Sequence, residues 1–271
     1  MGEAHESRPL AGCRVLVTRA VEQAPELARR IETLGGEAVI FPLIRIRPMG
    51  DAGPLDEALD CLDQFDWIIF TSVNTVSLFL QRMRQRDIPL ERLSARVAAV
   101  GPKTKAVLEA EGVTVDVLPT EFHAEGLLDA LLPQMTPGLR VLLPRSRIAR
   151  EVLPEQLACH GAQVTAVDVY DTEPVREGAA QLASLLENRA VHWLTFTSSS
   201  TVQSFVDLLS GYDVPRLLKG VAVASIGPLT SATCRKLGLP VTVEAQPSSL
   251  DGLIQAMVQW TMSHKGANAD E

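Results

Sequence analysis

The sequence lacks the features that most quickly assign a function. It contains no GxGxxG dinucleotide fingerprint, no GxxxxGKS/T phosphate loop, no HExxH or Cys/His metal spacing and no GxSxG nucleophile elbow. Its apolar runs are too short to cross a bilayer, and a formal net charge of −8 disfavours nucleic acid as a partner. We therefore expect no membrane, nucleic acid or metal partner and no hydrolase triad.

Cysteine and histidine are also sparse. Four scattered cysteines without CxxC spacing are typical of a reduced cytoplasmic protein with buried thiols. His123, His160 and His192 stand singly, which is typical of surface or structural residues, and His5 and His264 fall near the ends. The first nine residues are polar and lack the apolar segment of a secretory signal, and residues 1–10 and 263–271 are predicted to be disordered tails.

What the sequence does contain is an internal repeat. Residues 12–19 align with residues 138–145 at an offset of 126 positions, and five of these eight pairs are identical. The same offset aligns residues 66–72 with 192–198 and residues 97–104 with 223–230. Self-similarity at a fixed offset predicts two related halves, and the cleft between two halves is a common place for small-molecule binding.

Both halves alternate short apolar strands with amphipathic helices. Strands are predicted at residues 14–18, 67–70, 96–100, 113–118, 193–196, 221–226 and 241–243. Helices are predicted over residues 27–34, 76–83, 102–112, 127–132, 202–209, 228–237 and 250–257. This order predicts an α/β fold of two three-layer domains, each a parallel sheet with helices on both faces.

Two segments depart from this pattern. Residues 39–48 mix isoleucines with arginines between Pro42 and Pro48, and their copy at residues 165–174 contains Asp168, Tyr170 and Asp171. Because proline cannot donate a hydrogen bond to a strand ladder, both segments are predicted to be exposed and extended rather than central strands.

The junctions between strands and helices carry the candidate chemistry, since ligands of such sheets bind beyond the carboxyl ends of the strands. These junctions are small, hydroxylated or glycine-bearing: Thr18-Arg19, Thr71-Ser72, Gly101-Pro102-Lys103-Thr104, Pro144-Arg145-Ser146-Arg147, Thr197-Ser198-Ser199-Ser200 and Gly227-Pro228-Leu229-Thr230. Free N–H groups and the helix dipole make such junctions anion sites, so that a set of them suits a polyanion. The alternative is that the serines and threonines only cap helices.

Two further features are candidates. Residues 140–150 contain four arginines and no acid, and guanidinium groups pair with carboxylate or phosphate. The alternative for this cluster is a solvated basic face on a helical turn. Tyr170, one of only two tyrosines, either packs in the fold or donates its hydroxyl proton to a ligand.

Taken together, these residues resemble the uroporphyrinogen-III synthase family over residues 12–260. The resemblance is carried by short runs in a characteristic order: Ile-Phe-Thr-Ser at 69–72, Val-Gly-Pro-x-Thr at 100–104, Arg-Glu-x-Leu-Pro at 150–154, Val-Tyr-Asp-Thr at 169–172 and Ser-Ile-Gly-Pro at 225–228. The resemblance implies one α/β domain from residues 11–39 plus 177–262, a second from residues 51–166, and a two-stranded hinge at residues 40–50 and 167–176. A simple duplication would instead divide the chain at 137/138.

The resemblance also implies a reaction without a cofactor. The family closes hydroxymethylbilane, a linear tetrapyrrole with eight carboxylates, to uroporphyrinogen III while inverting the last pyrrole ring and losing water. Positioning and modest proton transfer would carry such a reaction, which agrees with the lack of a strong acid–base constellation. The implied partners are this substrate and, transiently, the preceding enzyme of the pathway, and the chain is expected to be a cytoplasmic monomer.

The resemblance assigns roles to particular residues. Tyr170 would donate a proton to the departing hydroxyl. The carboxylate arms of the substrate would be bound by Thr71, Ser72, Gly101, Thr104, Ser198, Gly227 and Thr230. Charge clustering adds Arg147 and Arg150, with Arg19, Lys103 and Arg145 as weaker candidates.

Two other functions remain open from the sequence. A pair of such domains can clamp an anion as a non-catalytic tetrapyrrole sensor. A nucleotide- or sugar-phosphate-binding enzyme suits the sheet topology but lacks a phosphate loop.

Overall fold

The computed structural model describes residues 8–265, without the side chain of Lys265; residues 1–7 and 266–271, and with them most of the predicted tails, lie outside the described residues. Leu10 is fully buried, and the last helix continues through His264. The prediction of disordered tails is therefore wrong for residues 8–10 and 263–265, because both short segments pack onto or extend regular structure.

Strands and helices alternate along most of the described chain. The strands are β1 (Arg14–Val17), β2 (Glu37–Ile40), β3 (Ile44–Pro48), β4 (Trp67–Phe70), β5 (Arg96–Ala99), β6 (Arg140–Ser146), β7 (Gln163–Pro174), β8 (Trp193–Phe196), β9 (Ala222–Ser225) and β10 (Val243–Glu244). The helices are α1 (Ala24–Thr33), α2 (Gly53–Asp60), α3 (Val73–Gln85), α4 (Pro102–Ala110), α5 (Ala124–Leu131), α6 (Val152–Cys159), α7 (Ala179–Glu187), α8 (Ser199–Leu208), α9 (Val214–Leu217), α10 (Pro228–Lys236) and α11 (Leu250–Lys265).

The chain divides into two compact units. One, here called the split unit, takes the chain up to Arg45 and again from Glu173 onward; the other, the continuous unit, is Ile46–Thr172. The chain passes from one unit to the other within β3 and again within β7.

The split unit is built on a five-stranded sheet in the order β10-β9-β8-β1-β2. Neighbouring strands run parallel, with Val15 opposite Trp193 and Leu16 opposite Leu194. Alternate residues face opposite cores: Leu16 and Leu194 pack in one apolar cluster, and Val15 and Trp193 in another. The strands are apolar on both faces because helices cover both sides of the sheet.

The continuous unit repeats this arrangement with the order β3-β7-β6-β4-β5. Strands β5, β4, β6 and β7 are parallel neighbours, and β3 forms the edge beside β7. Ile68 and Phe70 enter one core, whereas Trp67 and Ile69 enter the other. The α/β class and the parallel sheets predicted from sequence are therefore confirmed.

Some predicted elements differ from the structure. The strand expected at residues 113–118 is reduced to a single bridge between Ala98 and Val117. The segment expected to be one extended stretch at residues 39–48 contains the end of β2 and all of β3, which Pro42 separates. Its copy is part of β7, a strand of 12 residues that pairs with β6 along Gln163–Tyr170 and stands between β6 and β3 in the order of the sheet.

The expectation that the thiols are buried is wrong for Cys159. Cys13 and Cys234 are buried and Cys61 is partly buried, but Cys159 at the end of α6 is exposed. Among residues 8–265, no helix combines the length and apolarity needed to span a membrane.

The different exposure of the four cysteines predicts that they react with an alkylating reagent at different rates in the folded protein. Burial raises the pKa of the Cys234 thiol to about 11, so at mildly alkaline pH this thiol stays protonated as well as enclosed. Iodoacetamide is expected to label Cys159 first and Cys234 last, as measured by mass spectrometry of the digested peptides. A sample labelled in denaturant is the control, in which all four cysteines should react alike; equal native labelling of Cys159 and Cys234 would contradict the prediction.

Candidate active site

In the continuous unit, the polar junctions lie at one edge of the sheet, where the parallel strands end. Thr71 and Ser72 follow β4, and Gly101 follows β5, with Val100 N–H donating to the Phe70 carbonyl at 3.0 Å. Ser72 is the N-cap of α3, because its Oγ accepts a hydrogen bond from Thr75 N–H at 3.1 Å. Ser72 Oγ also lies 2.6 Å from Thr75 Oγ1. Capping and ligand binding are thus compatible here, since the cap holds Ser72 at the strand end.

Tyr170 lies at the same edge, on β7. It pairs in register with Ser146 of β6, and its carbonyl accepts a hydrogen bond from Arg147 N–H at 2.9 Å. The ring is buried within the apolar core of the continuous unit, yet its hydroxyl lies 3.4 Å from Ser72 Oγ. The ring therefore packs in the core, as the first of the two possibilities from the sequence has it, while the hydroxyl lies beside that of Ser72.

The turn before α4 presents main-chain groups rather than side chains. Gly101 is the N-cap of α4 in an extended conformation, and Thr104 on the first turn is buried. The amides of the first helical turn have no acceptor within a helix and carry the positive end of its dipole, which suits a carboxylate. A β-carbon at Gly101 would reach only ordinary contact with Phe122, at 3.6 Å, so internal packing does not itself demand glycine at this position.

The arginines of residues 140–150 are paired with acids from elsewhere in the chain. Arg147 lies 3.4 Å from Asp171, and Arg150 forms a two-armed pair with Glu125 at 2.9 and 3.3 Å. The hydrogen bond from Arg150 is the main cause that lowers the pKa of Glu125. Both arginine side chains remain more than half exposed, so substrate carboxylates would compete with these internal partners.

Arg145 differs from these two arginines. Its largely buried guanidinium lies 2.9 Å from Asp168 and 2.8 Å from Glu151. This residue belongs to β6, so the alternative of a basic helical turn is wrong for Arg140–Ser146. Lys103, another of the weaker candidates, is exposed on the first turn of α4.

The split unit presents a corresponding edge. Ser198, at the end of β8, caps α8 by accepting from Thr201 N–H at 3.2 Å and lies 2.9 Å from Ser200 Oγ. Gly227 precedes α10, with Thr230 buried on the first turn. A β-carbon at Gly227 would overlap with Ser248 Oγ, so any other residue here would require the Ser248 side chain to move.

Arg19 also lies at this edge of the split unit, after β1. Its side chain is only 14% exposed, and burial is the largest cause that lowers the pKa of its guanidinium, opposed by Glu26 at 3.7 Å. Its Nη2 donates to Gln23 at 3.3 Å. Within the described residues, Nε and Nη1 have no hydrogen-bond partner, so this cation has spare donor capacity.

The structure adds residues that the sequence did not single out as binding residues. Ser146, which pairs with Tyr170 between neighbouring strands, has a buried Oγ. Neither this atom nor the buried Oγ of Ser231 on α10 has a hydrogen-bond partner within the described chain. Thr75 and Thr201 complete the hydroxyl pairs at the two helix starts. The repeated spacing Ser-x-x-Thr at residues 72–75 and 198–201 is the sequence signal for these pairs.

Each unit therefore gathers its predicted residues at the carboxyl edge of its own sheet, as α/β small-molecule-binding proteins do. Within residues 8–265, no group of three or more His, Cys, Asp or Glu side chains is arranged to hold a metal ion. The arrangement defines an α/β protein whose strand-end turns offer hydroxyls, helix amides and one tyrosine hydroxyl.

Comparison with known proteins gives the family. The family model described as Uroporphyrinogen-III synthase HemD matches residues 25–255. A uroporphyrinogen-III synthase from Synechococcus elongatus is 37% identical over 257 residues, which cover 93% of this chain and 97% of the relative. One from Chlorobaculum parvum is 32% identical, covering 88% of this chain and 94% of the relative. The chain belongs to the uroporphyrinogen-III synthase family.

Solved structures agree on the fold. A mutant uroporphyrinogen III synthase from Thermus thermophilus aligns with a TM-score of 0.64 at 18% identity, covering 93% of this chain and 100% of the other. The uroporphyrinogen-III synthetase from Helicobacter pylori aligns with a TM-score of 0.61 at 17% identity, covering 92% and 99%. At these identities the likeness concerns the fold alone.

Proposed function

We infer that the chain is an enzyme that cyclises hydroxymethylbilane to uroporphyrinogen III, with inversion of the last pyrrole ring and loss of water, in tetrapyrrole biosynthesis. The observation that carries this inference is family membership along residues 25–255, within which Tyr170 places a hydroxyl at the polar edge of its unit. Tyr170 is 7% exposed and its hydroxyl lies beside that of Ser72, which suits a group that acts on a bound molecule.

The first step needs one proton. The lone pair of a pyrrole nitrogen expels the terminal hydroxyl, the C–O bond breaks, and a proton from Tyr170 Oη turns the leaving group into water. The far pyrrole ring then attacks the resulting azafulvenium cation, and the spiro intermediate fragments and recloses, releasing the proton that restores Tyr170. Ser72, at 3.4 Å, is placed to hydrogen-bond the tyrosine oxygen while it is charged.

The remaining residues are proposed to hold the carboxylate arms of the substrate. In the continuous unit these are Thr71, Ser72, Gly101, Thr104, Arg147 and Arg150; in the split unit they are Ser198, Gly227 and Thr230. The support is their common position at helix starts and strand ends, where amide N–H groups are available. Holding a flexible chain in one geometry also excludes the easy closure to the type I isomer.

We further propose that the two units arose by internal duplication. At the offset of 126 residues, Arg96–Ala99 corresponds to Ala222–Ser225 and Pro102–Ala110 to Pro228–Lys236, each a strand or helix of the same length in both units. The neighbour orders β5-β4-β6-β7 and β9-β8-β1-β2 also correspond. These correspondences support a common origin of the two sheets.

The proposed domains are residues 11–39 with 177–262, and residues 51–166, joined by hinge strands at 40–50 and 167–176. The passages of the chain between the two units, within β3 and within β7, support this assignment. The enzyme is proposed to work as a cytoplasmic monomer without a cofactor. It would receive its reactive substrate through transient contact with the enzyme that makes it.

One assay tests the proposed function. The purified chain is mixed with hydroxymethylbilane, and the type I and type III ring isomers are separated after oxidation. Predominant type III product is expected, because enzyme-free closure gives type I. Only type I product, at the rate of the enzyme-free sample, would overturn the proposal, and tight substrate binding with only type I product would instead support a sensor.

A further inference from the structure

The split unit has a cavity at the opposite edge of its sheet from the polar turns. Its volume is about 530 Å³, which lies in the range of small-molecule sites. It is bordered by residues at the amino ends of the strands and by the last helix, among them Cys13, His192, Trp193, Ala222, Trp260 and His264. The proposed synthase reaction makes no use of any of these residues.

The matched sequence positions of the two units differ at this edge of the sheets. In the continuous unit, the Arg96 guanidinium lies 4.2 Å from the centre of the Trp67 ring and donates to Gln134 at 2.6 Å. The positions 126 residues later are Ala222, Trp193 and Trp260. The split unit therefore keeps the buried tryptophan but has a methyl group where the other unit has a guanidinium, and it adds a second indole.

The cavity wall is formed by aromatic rings in fixed contact. Trp193 and Trp260 meet edge to face, with centroids 5.1 Å apart and planes at 80°. His264 stacks on Trp260 at 3.9 Å and 15°. Trp193 is buried, whereas Trp260 is only partly buried and His264 is exposed. Such a wall favours a flat aromatic guest, because ring contacts contribute beyond the burial of area.

The two imidazoles give this wall a defined hydrogen-bonding character. His192 Nδ1 accepts from Arg14 N–H at 2.9 Å, so the ring proton is on Nε2, which is left as a donor. His264 Nδ1 donates to the Trp260 carbonyl oxygen at 2.9 Å and lies 3.1 Å from Ser263 Oγ, and in the neutral ring this leaves Nε2 as an acceptor. The cavity thus offers one ring donor and one ring acceptor.

The two units also differ in charge at the amino ends of their strands. In the continuous unit, Asp66 and Asp116 accept main-chain N–H groups at 2.7 Å and bring negative charge close to Trp67. The split unit uses His192 and Thr242 for the same two main-chain bonds, at 2.9 Å each. The split unit therefore lacks, at these two positions, the carboxylates that would hold a cation as an ion pair.

We propose that this cavity is a binding site for a flat, uncharged heteroaromatic molecule that carries both a hydrogen-bond donor and an acceptor. The ligand lies against Ala222, which stands where the other unit has Arg96, and against the accessible part of Trp260. It contacts the indole wall and bonds to the free nitrogens of His192 and His264.

The three tryptophans allow a direct test on the full chain. Benzimidazole, which is uncharged at mildly alkaline pH and has both a donor and an acceptor, is titrated into ¹⁵N-labelled protein while the indole N–H signals are followed. Saturable shifts of the Trp193 and Trp260 signals are expected, with the Trp67 signal unmoved. Benzamidine, a flat cation of similar size, is expected to shift none of them at equal concentration.

Variants then locate the probe. Ala222→Arg is expected to weaken benzimidazole binding at least tenfold, because a side chain fills the space next to Trp193. His264→Ala is expected to weaken binding by about three- to tenfold, the loss of one hydrogen bond. The control is Met262→Ala, an exposed position on the same helix.

Several outcomes would overturn the proposal. These are no saturable shift, shifts of all three indoles alike, equal shifts by benzamidine, or unchanged affinity in both the Ala222→Arg and His264→Ala variants. His264 is exposed, so the second variant is informative even if the first does not fold. The readout does not depend on turnover, so failure of the proposed synthase function leaves this test unaffected.

Discussion

Replacing Tyr170 with phenylalanine is expected to slow type III ring formation by roughly 10²-fold or more, in the range typical of losing a general acid. The ring itself stays in the apolar core, and the substitution removes the hydroxyl that lies 3.4 Å from Ser72 Oγ. The fold should therefore be retained while the departing hydroxyl of the substrate has no proton source. The share of type I isomer is expected to rise, because unassisted closure competes with the slowed enzyme. The measurement is the rate and ratio of the two isomers, with thermal unfolding recorded alongside.

The chain supplies a matched control for this variant. Tyr212 is the other tyrosine, lies in the split unit after α8, and is 39% exposed. Tyr212→Phe removes the same atom from a surface position and is expected to leave both rate and isomer ratio unchanged. Unaltered kinetics in the Tyr170→Phe variant would remove Tyr170 from the mechanism.

Gly126→Ala and Gly252→Ala are each expected to lower the free energy of unfolding by about 1–3 kcal/mol, the usual cost of overpacking. Both glycines lie in the first turn of a helix, α5 and α11. A β-carbon there would overlap with a backbone carbonyl oxygen, that of Glu121 or of Pro247. Alanine gains up to about 1 kcal/mol of helix propensity over glycine. The overlap outweighs this gain because main-chain atoms cannot rotate away as side chains do.

Controls for this pair are Gly50→Ala in the continuous unit and Gly211→Ala in the split unit. At both positions a β-carbon would meet nothing within 4 Å. Urea unfolding followed by circular dichroism is the measurement, with each variant compared with the control in its own unit. Coincident unfolding curves for a variant and its control would contradict the prediction, because they would show that the loop before the helix moves aside without loss of stability.

Much of the fold was accessible from sequence because its strands are buried on both faces. Trp67–Phe70 and Trp193–Phe196 are continuous apolar runs, and both were predicted with their observed bounds. The prediction of a strand at residues 113–118 was wrong for a local reason. Asp116 uses its side chain to accept from Val97 N–H at 2.7 Å, and Pro119 follows shortly after, so only one backbone bridge forms.

The site was predictable only in part, for a different reason. Strand ends follow from the order of elements, so residues such as Ser72 and Gly101 could be placed at one edge of a sheet. The partners of the arginines could not be placed in this way. Asp171 and Glu125 lie more than 20 positions from Arg147 and Arg150 in the chain and meet them only through folding. Ion pairs of this kind leave no periodic signal in a sequence.

The division of the chain at Arg45 and Glu173 bears on the order in which the protein emerges from the ribosome. β1 needs β8 as its neighbour, with Val15 opposite Trp193, and β8 is synthesised only after the whole continuous unit has been made. The continuous unit can fold during translation, whereas β1 and β2 keep apolar surface exposed until β8 and β9 have been made. Strands β8 and β9 thus complete a sheet that β1 and β2 begin, and a chain truncated after Thr172 would contain the continuous unit together with two strands that lack their neighbours.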